Sequence, residues 1–174
     1  MKKVLLCALI LILFTCLLSC TDTIKEYKGK KIVRITYVSA DFNGGTRRTE
    51  IIDFNENTYS HAYFVPNRKE NESEIQKTFA EEEEKTFINA CYTYGLFDLE
   101  ESYVQTGIID GGSWKLTIEY EDGSTKRSEG VNARPDKVFN KCSTVFYDLC
   151  GAYILGNMPE NYRNSEGNIE PEAA

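Results

Sequence analysis

One histidine, six cysteines and 27 acidic residues are the chemically versatile side chains of this 174-residue chain. Hydrolytic chemistry needs a nucleophile, a base and a group that orients the base. His61, the lone histidine, lies in the run Thr58–Val65 on the side of Tyr59 and Tyr63. A hydrogen-bonded strand histidine is the plain reading there. No Gly-x-Ser-x-Gly elbow offers a serine nucleophile. The spacing of the carboxylates selects no pair for glycoside chemistry. No catalytic residue is assigned, and a non-enzymatic role is expected.

Asp110-Gly111-Gly112-Ser113-Trp114 is the more suggestive motif. Two glycines let backbone approach a ligand, and an acid beside a tryptophan suits a sugar. The plainer reading is a turn capped by Asp110, with Trp114 in the core in phase with Leu116 and Ile118. Asp110, Trp114, Tyr59, His61 and Tyr63 form the candidate binding set. Exposed aromatics at Tyr59, Tyr63 and Phe64 would make a face for a protein or glycan.

Cys91, Cys142 and Cys150 lie in helical stretches. Cys142 and Cys150 stand eight residues apart, about 12 Å along one helix, too far to bridge. Cys91 pairs with either if the helices lie side by side; the alternative is three buried thiols packing as small hydrophobes. No Cys-x-x-Cys occurs, and with a single His neither a metal site nor a cofactor is expected.

The first residues are a different object. Lys2 and Lys3 precede a 15-residue apolar run, Val4–Leu18, too short for a span of about 20 residues. It ends in Leu17-Leu18-Ser19-Cys20, which resembles the lipobox of bacterial lipoproteins. That resemblance implies a signal peptide over 1–19 and a lipidated Cys20 bearing fatty acyl chains such as palmitate. It also implies export, with a lipid anchor in the bacterial cell membrane or outer membrane. Each buried CH₂ contributes about 0.8 kcal/mol, so two or three chains hold durably. Residues 20–30 read as the lipidated cysteine and a polar tether.

Periodicity then sets the elements. Lys31–Ala40, Arg47–Phe54 and Thr58–Val65 are β-rich, with Val33, Ile35 and Tyr37 expected inward in the first and Asn55-Glu56-Asn57 as a hairpin turn. Pro66–Gln76 is polar and reads as loop. Thr78 and Glu81 match a capping box, with the glutamates at the positive end of a helix over about 79–94, and Gly95 suits its left-handed end. Trp114, Leu116, Ile118 and Tyr120 alternate with Lys115, Thr117 and Glu119, which describes a sheet with one wet face. Asp122-Gly123 turns the chain into Thr125–Val131, expected at a sheet edge. Pro135 opens a second helix, whose Phe139, Cys142, Phe146 and Leu149 make a continuous stripe up to Gly151. The expectation is an α+β domain over 31–156: a single antiparallel sheet of about five strands, two helices on one face, order βββαββα. Residues 157–174 read as a disordered acidic tail.

Several of these motifs occur together. Gly95-Leu96-Phe97, Asp110-Gly111-Gly112-Ser113-Trp114, Ile118-Glu119-Tyr120 with Asp122-Gly123, and Gly130-Val131-Asn132-Ala133-Arg134-Pro135 resemble an uncharacterised family of bacterial exported domains. Its members are domains of unknown function, often lipoproteins. The resemblance implies the fold and export and carries no activity.

The formal charge is −7, and removing the leader leaves 18 basic residues against 27 acidic, or −9. Such a domain is ill suited to a phosphate backbone, so nucleic acid is excluded as a partner. The expectation is a membrane-anchored envelope lipoprotein that binds a protein partner, a basic one given the charge. The alternative is an envelope hydrolase or a glycan-binding accessory protein.

Overall fold

The computed structural model describes residues 26–27, 29–41, 45–66, 74–107 and 111–155. Among the described residues, eight strands and two α-helices follow in chain order, with a short 3-10 turn at Leu96–Asp98. The strands are β1 (Glu26–Tyr27), β2 (Lys30–Asp41), β3 (Arg47–Asp53), β4 (Thr58–Phe64), β5 (Glu74–Thr78), β6 (Ser102–Val104), β7 (Gly112–Tyr120) and β8 (Thr125–Val131). Helix α1 (Glu81–Tyr94) lies between β5 and β6, and α2 (Asp136–Cys150) follows β8. Seven strands form one sheet in the order β5-β4-β3-β2-β7-β8-β6, and β1 pairs with the start of β2. All pairings are antiparallel except β6 with β8, which is parallel.

The class is α+β as expected, but the five-strand antiparallel sheet in the order βββαββα is corrected. The extra strands are short and polar. Glu74–Thr78 has no alternation of its own and is held by backbone pairing to β4. Ser102–Val104 pairs in parallel with β8, so β8 is an inner strand rather than an edge. Thr78 therefore belongs to β5 and does not cap α1. Ala80 occupies the N-cap, and the Glu83 carboxylate accepts from its backbone N–H at 2.8 Å. A register irregularity between Ile32 and Arg34 also changes the inward set of β2. Ile32 (2 % exposed) takes the core place expected for Val33. The residue added by such a bulge reverses the alternation before it.

The inward face reads directly across the strands. Tyr59, Ile52, Ile35 and Ile118 form one row, and His61, Glu50, Tyr37, Leu116 and Ser128 the next. Both helices cover this face. Phe139 of α2 meets Tyr37 and Trp114 edge-on at 6.2 and 4.8 Å, and Phe87 of α1 meets Phe54 at 6.0 Å. The helices run antiparallel, joined by Phe87 on Phe146 at 4.9 Å. Gly95 (φ 82°) and Gly151 (φ 72°) end them in the left-handed conformation, which costs glycine nothing. Ile154 and Leu155 return to the core beyond α2.

Cys91, Cys142 and Cys150 are buried and free. Burial pushes the Cys91 thiol well up, and its hydrogen bond with Cys142 adds to the shift. Burial likewise pushes Cys150 up to about 12. Among the described residues, no helix is long and apolar enough to cross a membrane.

Candidate functional site

The candidate residues converge on one end of the helix-covered face. Antiparallel register sets Tyr63, Arg48, Ser39, Trp114 and Gly130 side by side across β4, β3, β2, β7 and β8. Three strand spacings, about 14 Å, separate Tyr63 from Trp114. Adjacent to this row stand His61, Glu50 and Tyr37. Asp110 lies outside the described residues, as does Cys20.

Trp114 is built into this end by the chain around it. Its Nε1–H donates to the Ala133 carbonyl at 2.7 Å, and its ring lies 5.7 Å from Tyr103. It is 7 % exposed. Gly130 is required beneath it, because a Cβ there would stand 2.6 Å from Trp114 Cε2. Asn132 takes a left-handed φ of 56°, and its N–H donates to the Gly112 carbonyl at 2.9 Å. A side chain at Gly111 would collide with the Asn132 amide. The glycine pair and the Gly-Val-Asn-Ala-Arg-Pro segment thus interlock as one structural unit.

Sequence reasoning missed the polar group beside His61. Glu50 is 2 % exposed on the inward face. Its carboxylate accepts from Tyr59 Oη at 2.5 Å and forms an ion pair with Arg48 Nε. Arg48 also lies 5.7 Å over the Tyr63 ring, and His61 meets that ring edge-on at 5.1 Å. One signal was available: Glu50 is in phase with Ile52 and Phe54, an acid where the pattern asks for an apolar residue. Burial raises the Tyr59 phenol, and Arg48 opposes that shift. Burial pushes Tyr37 up to about 12 against the fields of Arg134 and Arg48. Both phenols are therefore neutral donors at physiological pH.

This arrangement does not assemble a nucleophile with a base. Glu50, the carboxylate paired with His61 across the strands, is engaged by Arg48 and Tyr59. Cys150, close enough for its charge to act on Tyr59, is held as a thiol by burial. Among the described residues, no three His, Cys, Asp or Glu side chains are placed to hold a metal ion.

Among the described residues, no helix covers the opposite face of the sheet. Thr36, Thr49, Ile51, Ser60 and Thr117 occupy its centre, all half-buried. Arg34 lies toward one end, bound to Asp53 at 2.7 Å and Glu119 at 3.3 Å. Burial alone would raise the Asp53 carboxyl. Hydrogen bonds from Arg34 and from the Glu56 and Asn55 amides outweigh it and hold the pKa below the usual range. At the other end lie Val131 and Val104, cross-strand neighbours 39 % and 64 % exposed.

The described residues form a two-layer α+β module, with one sheet face that none of their helices covers and a polar cleft at a sheet end. No family model, curated protein or solved structure matches the chain.

Proposed function

We propose that the chain is a bacterial envelope lipoprotein, anchored through Cys20, whose folded part is a non-enzymatic binding module for a protein partner. The observation that carries this reading is the sheet face that no helix among the described residues covers. It is six strands wide, from β4 across to β6, with side-chain rows that run straight over the strands. Five strand spacings and three two-residue steps give roughly 24 by 20 Å between Cα atoms, on the order of 500 Å² before side chains are added. A standard interface takes about 800 Å² per partner, so this face supplies most of one. Its centre is hydroxyl and aliphatic, Arg34, Asp53 and Glu119 pair at one end, and the exposed Lys115, Arg127 and Glu129 add charge over β7 and β8, a mix of apolar centre and polar margin that suits a protein interface.

The point of chain entry supports the same reading. Glu26 and Tyr27 pair with Lys31 and Lys30, at the end of β2 opposite the Trp114 cleft. Six residues from Cys20 to Glu26 reach at most about 20 Å. A lipid on Cys20 would hold the Lys30 end near the bilayer and present the rest of the face outward.

The test is capture of the partner from a native envelope extract by the lipid-free domain, beside the Thr36→Arg/Thr117→Arg variant. Retention of a discrete protein that the variant loses, with both proteins equally folded, is the expected outcome. Equal retention by both, or none by either, removes the open face as the binding surface.

A further inference from the structure

The cleft at the far end of the sheet shares Ala40 and Ser113 with the margin of the open face and is otherwise distinct from it. It has a volume of about 480 Å³ and lies between β2, β7 and the segment leading into α2. That volume is within the range of small-molecule sites and holds a disaccharide. Its floor and walls include Tyr37, Ser39, Asp41, Gln105 and Trp114.

Its charge and hydrogen-bonding state select the ligand. Arg134 is closed on Asp136 by an ion pair, and Arg48, one strand from Ser39, is closed on Glu50. An anionic ligand at Arg134 would compete with Asp136 and lie close to the Asp41 carboxylate. By contrast, the Tyr37 and Ser39 hydroxyls, the Gln105 amide and the Asp41 carboxylate make no side-chain hydrogen bond among the described residues. The site therefore offers two hydroxyls, an amide and a carboxylate beside the indole of Trp114. Alternating donors and acceptors match a ligand with several hydroxyls, and Trp114, 7 % exposed, borders the site by its edge alone.

We propose that this cleft binds a neutral saccharide of about two sugar units. Asp41 accepts from paired sugar hydroxyls, Gln105 and Ser39 both donate and accept, Tyr37 donates, and the exposed edge of Trp114 borders the ligand.

The chain contains a single tryptophan, so its fluorescence and its indole N–H resonance report on this cleft alone. The lipid-free domain is titrated with cellobiose, maltose and N,N′-diacetylchitobiose, with sodium phosphate as the anionic control. The expected result is a saturable shift of the Trp114 signals with at least one disaccharide at millimolar concentration and none with phosphate. Asp41→Ala and Gln105→Ala, both at exposed positions, should each weaken binding roughly tenfold, the loss of one useful hydrogen bond. Three results overturn the proposal. They are no shift with any disaccharide up to about 50 mM, where even weak millimolar binding would saturate; a shift with phosphate alone; or a sugar shift unchanged in both variants. None bears on the bare sheet face, so failure here leaves the protein-binding reading to its own test.

Discussion

Gly130→Ala is a one-methyl change whose effect follows from the packing around Trp114. The added Cβ would stand 2.6 Å from Trp114 Cε2 and closer still to Nε1 and the Ala133 carbonyl oxygen. None of these can swing aside: the indole is rigid and wedged against Phe139 at 4.8 Å, and the carbonyl is backbone. The ring must tilt and release its 2.7 Å hydrogen bond to Ala133. A buried donor left unmade costs about 1–3 kcal/mol. Overpacking adds about 1–3 kcal/mol. Together they predict a loss of about 2–6 kcal/mol, a large part of the roughly 5–15 kcal/mol typical of a domain. At roughly 3–4 °C per kcal/mol for this size, Tm falls by about 6–24 °C. Urea unfolding followed by the emission of the single tryptophan measures both effects at once, since a released indole emits further to the red. A loss under about 1 kcal/mol with unchanged emission would refute the reasoning, because the methyl would then have found room.

Other expectations rest on different parts of the molecule. Glu50→Gln leaves Arg48 charged and half-buried without its partner, and urea unfolding should show a loss of about 3–5 kcal/mol. The Arg48→Met/Glu50→Leu double variant should recover most of it, since an apolar pair of similar volume avoids the desolvation cost. Alkaline pH should destabilise the fold. Cys91, Cys150 and Tyr37 have folded pKa values raised by burial, the last two to about 12. Their contribution is complete below the unfolded values of about 9 for a thiol and about 10 for a phenol. It is lost as pH rises from there toward 12, by up to about 1.4 kcal/mol per pH unit per group. Cys150→Ala should reduce that slope in urea midpoints taken between pH 8 and 11; a slope that is flat in the parent chain would contradict the burial argument. Lipid attachment is tested by intact mass. The mature chain should begin at Cys20 with two or three acyl chains, and Cys20→Ala should abolish the acylated species.

Much of the fold is legible in the residue pattern, and the misses have physical causes. β2, β3, β4, β7 and β8 carry alternation or β-branched density, and both helices carry apolar stripes ended by glycine. β5 and β6 carry neither. Glu-Ile-Gln-Lys-Thr becomes a strand because β4 offers unpaired backbone groups, a tertiary reason with no local trace. The bulge at Val33 likewise comes from pairing with β7 and not from propensity. For the site, His61, Tyr63 and Trp114 were singled out without any hint that they share an end of one face. That follows from β2 lying between β3 and β7, a strand order set by the whole fold. Ser39 and Tyr37 were invisible as site residues for the same reason, whereas Glu50 was a polar residue in an apolar phase.

The central claim is that the bare sheet face is where a protein partner docks. The most direct measurement places a photo-crosslinking amino acid at Thr117 of β7, mid-face, and in a second strain at Asn89, on the exposed side of α1. Irradiation of intact cells should give a discrete heavier adduct from position 117 and none from position 89. Adducts from position 89 alone, or none from position 117 at full expression, would contradict the account.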